Sequence, residues 1–278
     1  MKIGISTCVD YGVPLETTLR KIRECGFDAV AFGHLLEHFP HYDHKRRSEI
    51  RDLLDSLALP VECIHAPIAP FFDLASDDDH VRASTAAMYR ATIESCHALG
   101  APYMVLHATG WKVEPREVEH RAMNAIPPLR ELVEFGGTRN VRVAIENMPP
   151  GSVAQAVTEL ILEEYPGTDL RVCYDTSHDN IGGQPLEFFL KWSSRVAILH
   201  LSDNRGERDE HIIPMKGTFP WETFIPELSK SGYSGILMLE NEVHPGDDFD
   251  GYLAESYAAA EKLRSMWNAA SEKAAASS

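Results

Sequence analysis

The chain lacks any apolar run approaching the roughly 18 residues that a membrane-spanning helix needs. Its N-terminus also lacks the charged leader and apolar segment of a secretory signal. Cysteine is scarce: the five cysteines are widely spaced, odd in number and form no CxxC pair, so we expect neither a disulfide framework nor a structural zinc knuckle. These absences predict a soluble, cytoplasmic protein with no membrane association.

Positive charge is also in short supply. The sequence has 26 lysines and arginines against 42 aspartates and glutamates, which gives a formal net charge of −16. A protein that binds a phosphate backbone usually carries a basic face. The basic run at 44–47 opens a predicted helix and is interpreted as a solvated surface, so we expect no nucleic-acid partner.

What the sequence does contain is a regular alternation of short apolar runs with longer amphipathic ones, a pattern typical of parallel strands joined by helices. Strands are predicted at 2–7, 28–33, 60–65, 102–107, 141–146, 170–175, 196–201 and 235–240. Helices are predicted at 14–26, 44–58, 79–99, 115–136, 152–165, 184–193, 221–231 and 249–267. This repetition predicts an α/β fold, a single (β/α)8 TIM barrel over residues 1–267, followed by a disordered tail at 268–278.

An open doubly wound sheet is the alternative to a barrel. Such a sheet usually carries a glycine-rich phosphate turn after its first strand, and the segment ISTCVDYG is not one. The barrel is therefore the preferred prediction.

Polar residues stand at the ends of the predicted strands, where barrel enzymes place their chemistry. From the third strand to the eighth, the strand-end residues are His65, His107, Glu146, Asp175, His200 and Glu240. Because side chains alternate along a strand, the three carboxylates share a face with Ala144, Cys173 and Met238, respectively. The opposite face of these strands is more uniformly apolar, as packing against helices requires. We therefore expect the polar ends to converge inside the barrel mouth.

Three carboxylates in one mouth would repel one another and lose their charge, and a divalent cation would remove that penalty. Three oxygen donors and one imidazole form a mixed, fairly hard ligand set that suits Mn²⁺, Mg²⁺, Co²⁺ or Zn²⁺. The sequence therefore predicts one divalent metal ion on Glu146, Asp175, His200 and Glu240. The alternative is that loop amides satisfy each of these side chains separately.

Several segments resemble the xylose-isomerase-like barrel superfamily, and the resemblance covers essentially the whole chain. They are HLSDNRGERDEHIIPMKGTFPW from His200 to Trp221, the Glu146-Asn147 pair, the DTSH of 175–178, and Glu240. The superfamily includes sugar-phosphate isomerases and epimerases, ketose 3-epimerases, inosose dehydratases and endonuclease IV. In its epimerase-like members a Glu, an Asp, a His and a Glu on strands five to eight hold the metal, which implies the same four residues here.

The resemblance also implies substrate contacts. In epimerases the histidine three residues after the strand-six aspartate binds substrate oxygens, which implies His178. An arginine after the strand-seven histidine does so too, and Arg205 is the nearest match, with its spacing shifted by about one residue. In the endonuclease branch three zinc ions use further ligands, for which the candidates here are His65, His107, His178, Asp209 and His211. Sugar-acting relatives keep these residues as substrate contacts, and we therefore interpret all five as substrate-binding residues.

Other residues near the predicted mouth carry no comparable pattern. Phe71, Phe72 and Trp111 could pack on the apolar face of a sugar or simply against loops. His34 and His38 are interpreted as loop or surface residues, although His34 follows the second strand and could face the mouth.

Together these features predict a divalent-metal-dependent sugar or sugar-phosphate isomerase or epimerase that acts on a small carbohydrate. Glu146 and Glu240 would exchange a proton next to a carbonyl through an enediolate. The alternatives are a metal-dependent dehydratase or lyase on a sugar or inosose, and a multi-metal phosphodiesterase like endonuclease IV. The lack of a phosphate-binding glycine loop near strands seven and eight favours a sugar without phosphate. The sequence leaves self-association into a homo-oligomer open.

Overall fold

The computed structural model describes residues 1–110, 117–165, 167, 169–182 and 184–276. Its strands pair in parallel in the order β7-β6-β5-β4-β3-β2-β1-β8. They are β1 (Lys2–Ser6), β2 (Ala29–Phe32), β3 (Val61–His65), β4 (Tyr103–Leu106), β5 (Arg142–Glu146), β6 (Leu170–Asp175), β7 (Val196–His200) and β8 (Ile236–Leu239). Each observed strand lies within one residue of its predicted bounds.

The sheet closes into a barrel between β7 and β8. The Leu201 N–H donates to the Met238 carbonyl at 2.8 Å, and the Glu240 N–H donates to the Leu201 carbonyl at 3.0 Å. The predicted single (β/α)8 TIM barrel is therefore confirmed.

Helices follow the strands and cover the outside of the barrel. They are α1 (Leu15–Cys25), α2 (His44–Leu57), α3 (Asp79–Leu99), α4 (Val118–Gly137), α5 (Val153–Glu164), α6 (Thr176–Asn180), α7 (Glu187–Trp192), α8 (Trp221–Lys230) and α9 (Phe249–Ala276). Asp43, Asp78 and Ser152 cap helix N-termini by accepting a hydrogen bond from a first-turn backbone N–H. None of the described helices has the length and apolarity to cross a membrane.

Two helical segments differ from the sequence prediction. The short helix α6 was not predicted; it begins directly after β6 because the Asp175 carboxylate accepts a hydrogen bond from the His178 N–H. At the other end of the chain, α9 continues through Ala276. The structure thus has helix at 268–276, where the sequence analysis expects a disordered tail. The segment NAASEKAAA is rich in alanine, the strongest helix former.

The core has two layers, one between the strands and the helices and one inside the barrel. The inner layer consists of Ala29, Ala31, Cys63, Val105, Ala144, Cys173, Ile198 and Met238. It contains the three residues that the alternation pattern placed inside, so the predicted orientation of β5, β6 and β8 is confirmed. A Cβ on Gly4 would lie 2.6 Å from Met238 Cε, so glycine at this position of β1 makes room for the Met238 side chain.

Candidate metal centre

Glu146, Asp175, His200 and Glu240 meet at the C-terminal ends of β5 to β8. All four are buried, and each offers a ligand atom that lies within 4.8 Å of the other three. His200 Nδ1 lies 2.7 Å from Glu240 Oε2 and 3.3 Å from Glu146 Oε1. The predicted ligand set is therefore brought together as one cluster.

Two atoms of this cluster lack a hydrogen-bond partner among the described residues, Asp175 Oδ2 and His200 Nδ1. The latter is close to Glu240 Oε2, but the contact lacks the alignment of a hydrogen bond. Burial raises the pKa of the Asp175 carboxyl to about 7. Buried polar atoms without partners cost free energy, and a divalent cation would provide both atoms with a ligand bond. The oxygen and imidazole donors thus fit the predicted ion.

Asn147, directly after β5, positions the end of β6. Its side-chain carbonyl accepts from the Asp175 N–H at 2.7 Å, and its amide group donates to the Asp175 carbonyl at 3.0 Å. Asp175 Oδ1 in turn accepts from the His178 N–H at 2.6 Å. Because Oδ1 is used as a helix cap, Oδ2 is the oxygen left to face the cluster.

Two histidines contact Glu146 from β3 and the end of β4. His65 Nε2 lies 3.0 Å and His107 Nε2 lies 3.4 Å from Glu146 Oε2. Burial alone would raise the pKa of Glu146, but His200 and His107 hold it well below its ordinary value. Glu146 therefore links His65 and His107 to the four-residue cluster.

A second cluster lies beside the first and consists of His178, Asp209 and His211. Asp209 Oδ2 is 3.3 Å from His178 Nε2 and 3.0 Å from His211 Nε2. Burial alone would lower the pKa of His178, but Asp175, Asp209 and Glu146 raise it to about 10. His211 adopts a left-handed φ of 44°, which is uncommon outside glycine and often marks a functional site.

The loop that presents Asp209 and His211 is organised by Asp203. This buried carboxylate accepts from Trp221 Nε1 at 2.9 Å and from the backbone N–H groups of Met215 and Phe219 at 2.9 and 3.0 Å. A Cβ on Gly217 would lie 2.2 Å from the Asn204 carbonyl oxygen, so only glycine fits there. Much of the 200–221 motif therefore shapes the loop rather than contacting the mouth.

Arg205 is not brought to the site. Its side chain is 63% exposed, and its guanidinium pairs with Glu210 Oε1 at 2.7 Å on the surface. The prediction of a substrate contact at Arg205 is therefore not supported by its position. Its position follows the 200–221 loop, whose path depends on the contacts of Asp203 and on Gly217.

A cavity of about 240 Å³ opens above the cluster at the barrel mouth. Its lining is acidic and rich in histidine, and it contains neither lysine nor arginine among the described residues. The lining residues are Cys8, His34, His65, Ile68, His107, Glu146, His178, Asp209, His211, Glu240 and Glu242. The volume is below the 300–1,000 Å³ typical of pockets for drug-sized ligands, so it suits a small polar molecule.

Sequence reasoning missed Cys8, Ile68 and Glu242 of this lining, and it interpreted His34 as a loop or surface residue that could face the mouth. Tyr11 Oη lies 3.4 Å from His34 Nδ1, and burial lowers the pKa of His34 to about 4. Cys8 follows β1, so extending the strand-end analysis to the first strand would have found it. Glu242 follows β8 at the same alternation as Glu240.

The aromatic residues predicted near the mouth, Phe71, Phe72 and Trp111, differ in their exposure and in whether the structure describes them. Phe71 is 80% exposed and Phe72 is partly buried against the core. Trp111 lies outside the described residues. Packing of these rings on a sugar stays a prediction.

Comparison with known proteins agrees with this architecture. Residues 19–266 match a family model described as a xylose isomerase-like TIM barrel. The chain is 28% identical over 254 residues to an uncharacterized protein of Methanocaldococcus jannaschii, a match that covers 87% of this chain and 84% of the relative. It is 22% identical over 250 residues to the fructoselysine 3-epimerase of Shigella flexneri, which covers 86% and 90%.

Solved structures give the same result for the fold. A D-tagatose 3-epimerase-like protein superimposes with a TM-score of 0.81 at 25% identity, covering 96% of this chain and 98% of that one. An L-ribulose 3-epimerase has a TM-score of 0.81 at 17% identity, with coverage of 100% and 98%. At the latter identity the likeness concerns the fold alone.

Proposed function

The chain belongs to the xylose isomerase-like TIM barrel family, and from this membership and the geometry of its mouth we propose that it is a divalent-metal-dependent sugar isomerase or epimerase. The observation that carries the proposal is the convergence of four buried ligand atoms, two of them without a hydrogen-bond partner among the described residues. The names of the fructoselysine 3-epimerase relative and of the D-tagatose 3-epimerase-like structure support a carbohydrate substrate.

In this proposal Glu146, Asp175, His200 and Glu240 hold one ion of Mn²⁺, Mg²⁺, Co²⁺ or Zn²⁺. When bound, the ion would polarise a substrate carbonyl and stabilise the negative charge of an enediolate. Glu146 and Glu240 both approach His200 Nδ1, so their carboxylates are close to each other. One would remove the proton next to the carbonyl, and the other would return a proton to the same carbon or its neighbour.

The remaining polar residues of the mouth are proposed to orient the sugar hydroxyls. His65, His107, His178, Asp209 and His211 all line the cavity and offer both donors and acceptors. Proteins usually recognise phosphate through arginine, lysine or a helix N-terminus, and among the described residues the cavity lining contains neither lysine nor arginine. We therefore propose a sugar that carries no phosphate.

A second candidate function is a phosphodiesterase that uses several metal ions. The observation that favours it is the presence of two further groups with metal-ligand geometry, His65–His107–Glu146 and His178–Asp209–His211. The net charge of −16 and the acidic cavity oppose binding of a nucleic acid. We therefore propose a carbohydrate as the substrate and no nucleic-acid partner.

Proton NMR in D₂O tests the proposed chemistry. The metal-loaded protein is incubated with a panel of ketoses, ketose phosphates and inososes. We expect deuterium to enter a ketose at the carbon next to the carbonyl, because a carboxylate in an open mouth exchanges its proton with water. A hydride shift would incorporate little label, and net loss of water would indicate a dehydratase. No exchange across the panel, together with cleavage of abasic DNA, would contradict the proposal.

A further inference from the structure

The end of the barrel where the strands begin, which we call the floor, contains two cavities that the proposed reaction does not use. The smaller has a volume of about 260 Å³ and is lined in part by Arg142, Arg171, Ser194 and Ser234. The larger, of about 780 Å³, shares both arginines and adds Arg130. The two cavities therefore meet at one pair of guanidinium groups.

Both arginines belong to the inward-facing side of their strands. Arg142 precedes Ala144 by two residues on β5, and Arg171 precedes Cys173 by two on β6, and both of these partners lie in the inner layer of the core. Because side chains alternate, both side chains leave their strands on the inward side, below that core. Arg142 is exposed and Arg171 is half-buried at this end of the barrel.

The charge of these two arginines is balanced only in part by nearby carboxylates. Within the described part of the chain, neither Arg142 nor Arg171 forms an ion pair, and Arg171 Nε is buried without a hydrogen-bond partner. The chain has 42 acidic residues and 26 lysines and arginines, so a shortage of carboxylates does not explain why these two arginines form no ion pair. The larger cavity includes Glu134 and Asp169, but the lining of the smaller one contains no acidic residue.

A third guanidinium adds to this charge. Arg195 is buried and donates to the Leu162 and Leu170 carbonyls at 2.8 and 2.9 Å. Burial and the nearby charge of Arg171 lower the pKa of Arg195. Like charges held together in a partly desolvated place are stabilised by an anion.

The smaller cavity also supplies neutral donors. Serine hydroxyls reach it from the two loops that precede β7 and β8, at Ser193, Ser194, Ser231 and Ser234. Ser231 and Ser193 already donate to the Leu228 and Leu190 carbonyls at 2.8 and 3.5 Å, which leaves Ser194 and Ser234 for a ligand. Guanidinium forks and hydroxyls together match the oxygens of a tetrahedral anion.

We propose that the floor cavity between Arg142 and Arg171 binds a phosphate group, either as free phosphate or as a small phosphate ester. The site lies at the opposite end of the strands from the metal cluster, so its ligand does not take part in the reaction. Binding to the folded state alone stabilises a protein, and residues at this end of a TIM barrel serve stability. The expected consequence is a protein whose stability depends on phosphate.

Titration calorimetry and thermal unfolding with inorganic phosphate test this site, at constant ionic strength set by chloride. We expect saturable binding and a rise in Tm of about 2–6 °C at saturation. The R142Q/R171Q variant should weaken binding at least about 10-fold and lose the rise. Glycerol phosphate in a parallel titration distinguishes an ester from the free anion.

Two control variants separate this site from other positive charge and from the mouth. Arg23→Gln removes an exposed arginine of α1, and Glu240→Gln disrupts the metal cluster; both should bind phosphate as the wild type does. If the double variant fails to fold, Arg142→Gln alone changes an exposed residue and should still weaken binding several-fold. Equal binding by wild type and R142Q/R171Q, loss of binding in Glu240→Gln, or no saturable binding would overturn the proposal.

Discussion

The two ends of the barrel carry opposite chemistry on the same two strands. β5 runs from Arg142 to Glu146, and β6 carries Arg171 four residues before Asp175. At the mouth, Glu146, Asp175, His200 and Glu240 are almost completely buried, and neither lysine nor arginine lines the cavity among the described residues. At the floor, arginines and serines line the smaller cavity, and none of its described lining residues is acidic.

This difference shows how one alternating strand can serve two ligands of opposite charge. The inward positions begin with a guanidinium, pass through a small apolar residue at Ala144 or Cys173, and end with a carboxylate. The apolar layer separates the two charged ends. The mouth is therefore suited to a cation and the floor to an anion, and we expect a substitution at one end to leave binding at the other unchanged.

The largest effect is expected from Glu240→Gln, which keeps the shape of the side chain but removes a charge and a base at the mouth. Turnover should fall at least about 100-fold, and the variant should hold less metal. Assays of activity and elemental content measure both effects. Glu222→Gln, an exposed position of α8, is the matched control and should behave as wild type; near-normal turnover in Glu240→Gln would refute the role of Glu240.

A smaller loss is expected from His178→Asn, which tests whether this residue contacts the substrate or a metal. Removing a hydrogen bond to substrate oxygens should lower activity about 10- to 100-fold. The content of the tightly bound metal should stay unchanged, because His178 is not part of the four-residue cluster. Elemental analysis of the variant measures this metal content. Loss of the metal in His178→Asn would show that His178 is a metal ligand.

Glu62 is a buried carboxyl inside the barrel that does not belong to the metal cluster. Its side chain is buried, and Oε1 accepts from the Ile236 N–H at 3.1 Å. Burial raises the pKa of Glu62 from 4.5 to about 8. The unfolded chain therefore releases this proton at lower pH than the folded protein, so the free energy of unfolding should fall as the pH rises from about 4.5 to about 8.

Glu62→Gln keeps the acceptor for Ile236 and removes the titration. Over that pH range, denaturant unfolding should show the wild type losing on the order of 3–5 kcal/mol relative to the variant, since one pKa unit corresponds to about 1.4 kcal/mol. Below pH 4.5 the two proteins should differ little. Parallel stability curves across the whole range would show that Glu62 is ionised in the folded protein.

The smallest effect is expected from Arg205→Ala. Its guanidinium is exposed and pairs with Glu210 outside the mouth, and exposed ion pairs contribute little. Steady-state activity should change less than about twofold, and the Tm should stay almost constant. A loss of activity comparable to that of His178→Asn would mean that the 200–211 loop moves Arg205 into the mouth when substrate binds.

The mouth was predictable because its residues follow two regular rules. The C-terminal ends of the strands all lie at the same end of a barrel, and alternation along a strand decides which side chains turn inward. Each of the three carboxylates follows an inward residue by two positions. These pairs are Ala144 and Glu146, Cys173 and Asp175, and Met238 and Glu240. Cys8 was missed, and His34 was interpreted as a loop or surface residue, because they lie beyond short strands that end in no carboxylate. Arg205 was misplaced because its position depends on a loop whose path is set by Asp203 and Gly217.

The floor was not predictable from the same rules. Arg142 and Arg171 stand at strand starts, where charged residues are common, and nothing local shows that they lack carboxylate partners. Their environment comes from the loops before β7 and β8, which are distant in sequence. The helical end of α9 was missed for a different reason: small polar composition was taken as a sign of disorder, although alanine also favours helix.

Metal content per chain tests the central claim, that the mouth is built around one divalent ion on Glu146, Asp175, His200 and Glu240. Protein purified without chelator is analysed for Mn, Mg, Co and Zn, alongside Asp175→Asn and Glu240→Gln. The account predicts about one ion per wild-type chain and substantially less in both variants. A reproducible content near three per chain, or full retention of the metal in both variants, would contradict it, and the former would favour the multi-metal phosphodiesterase.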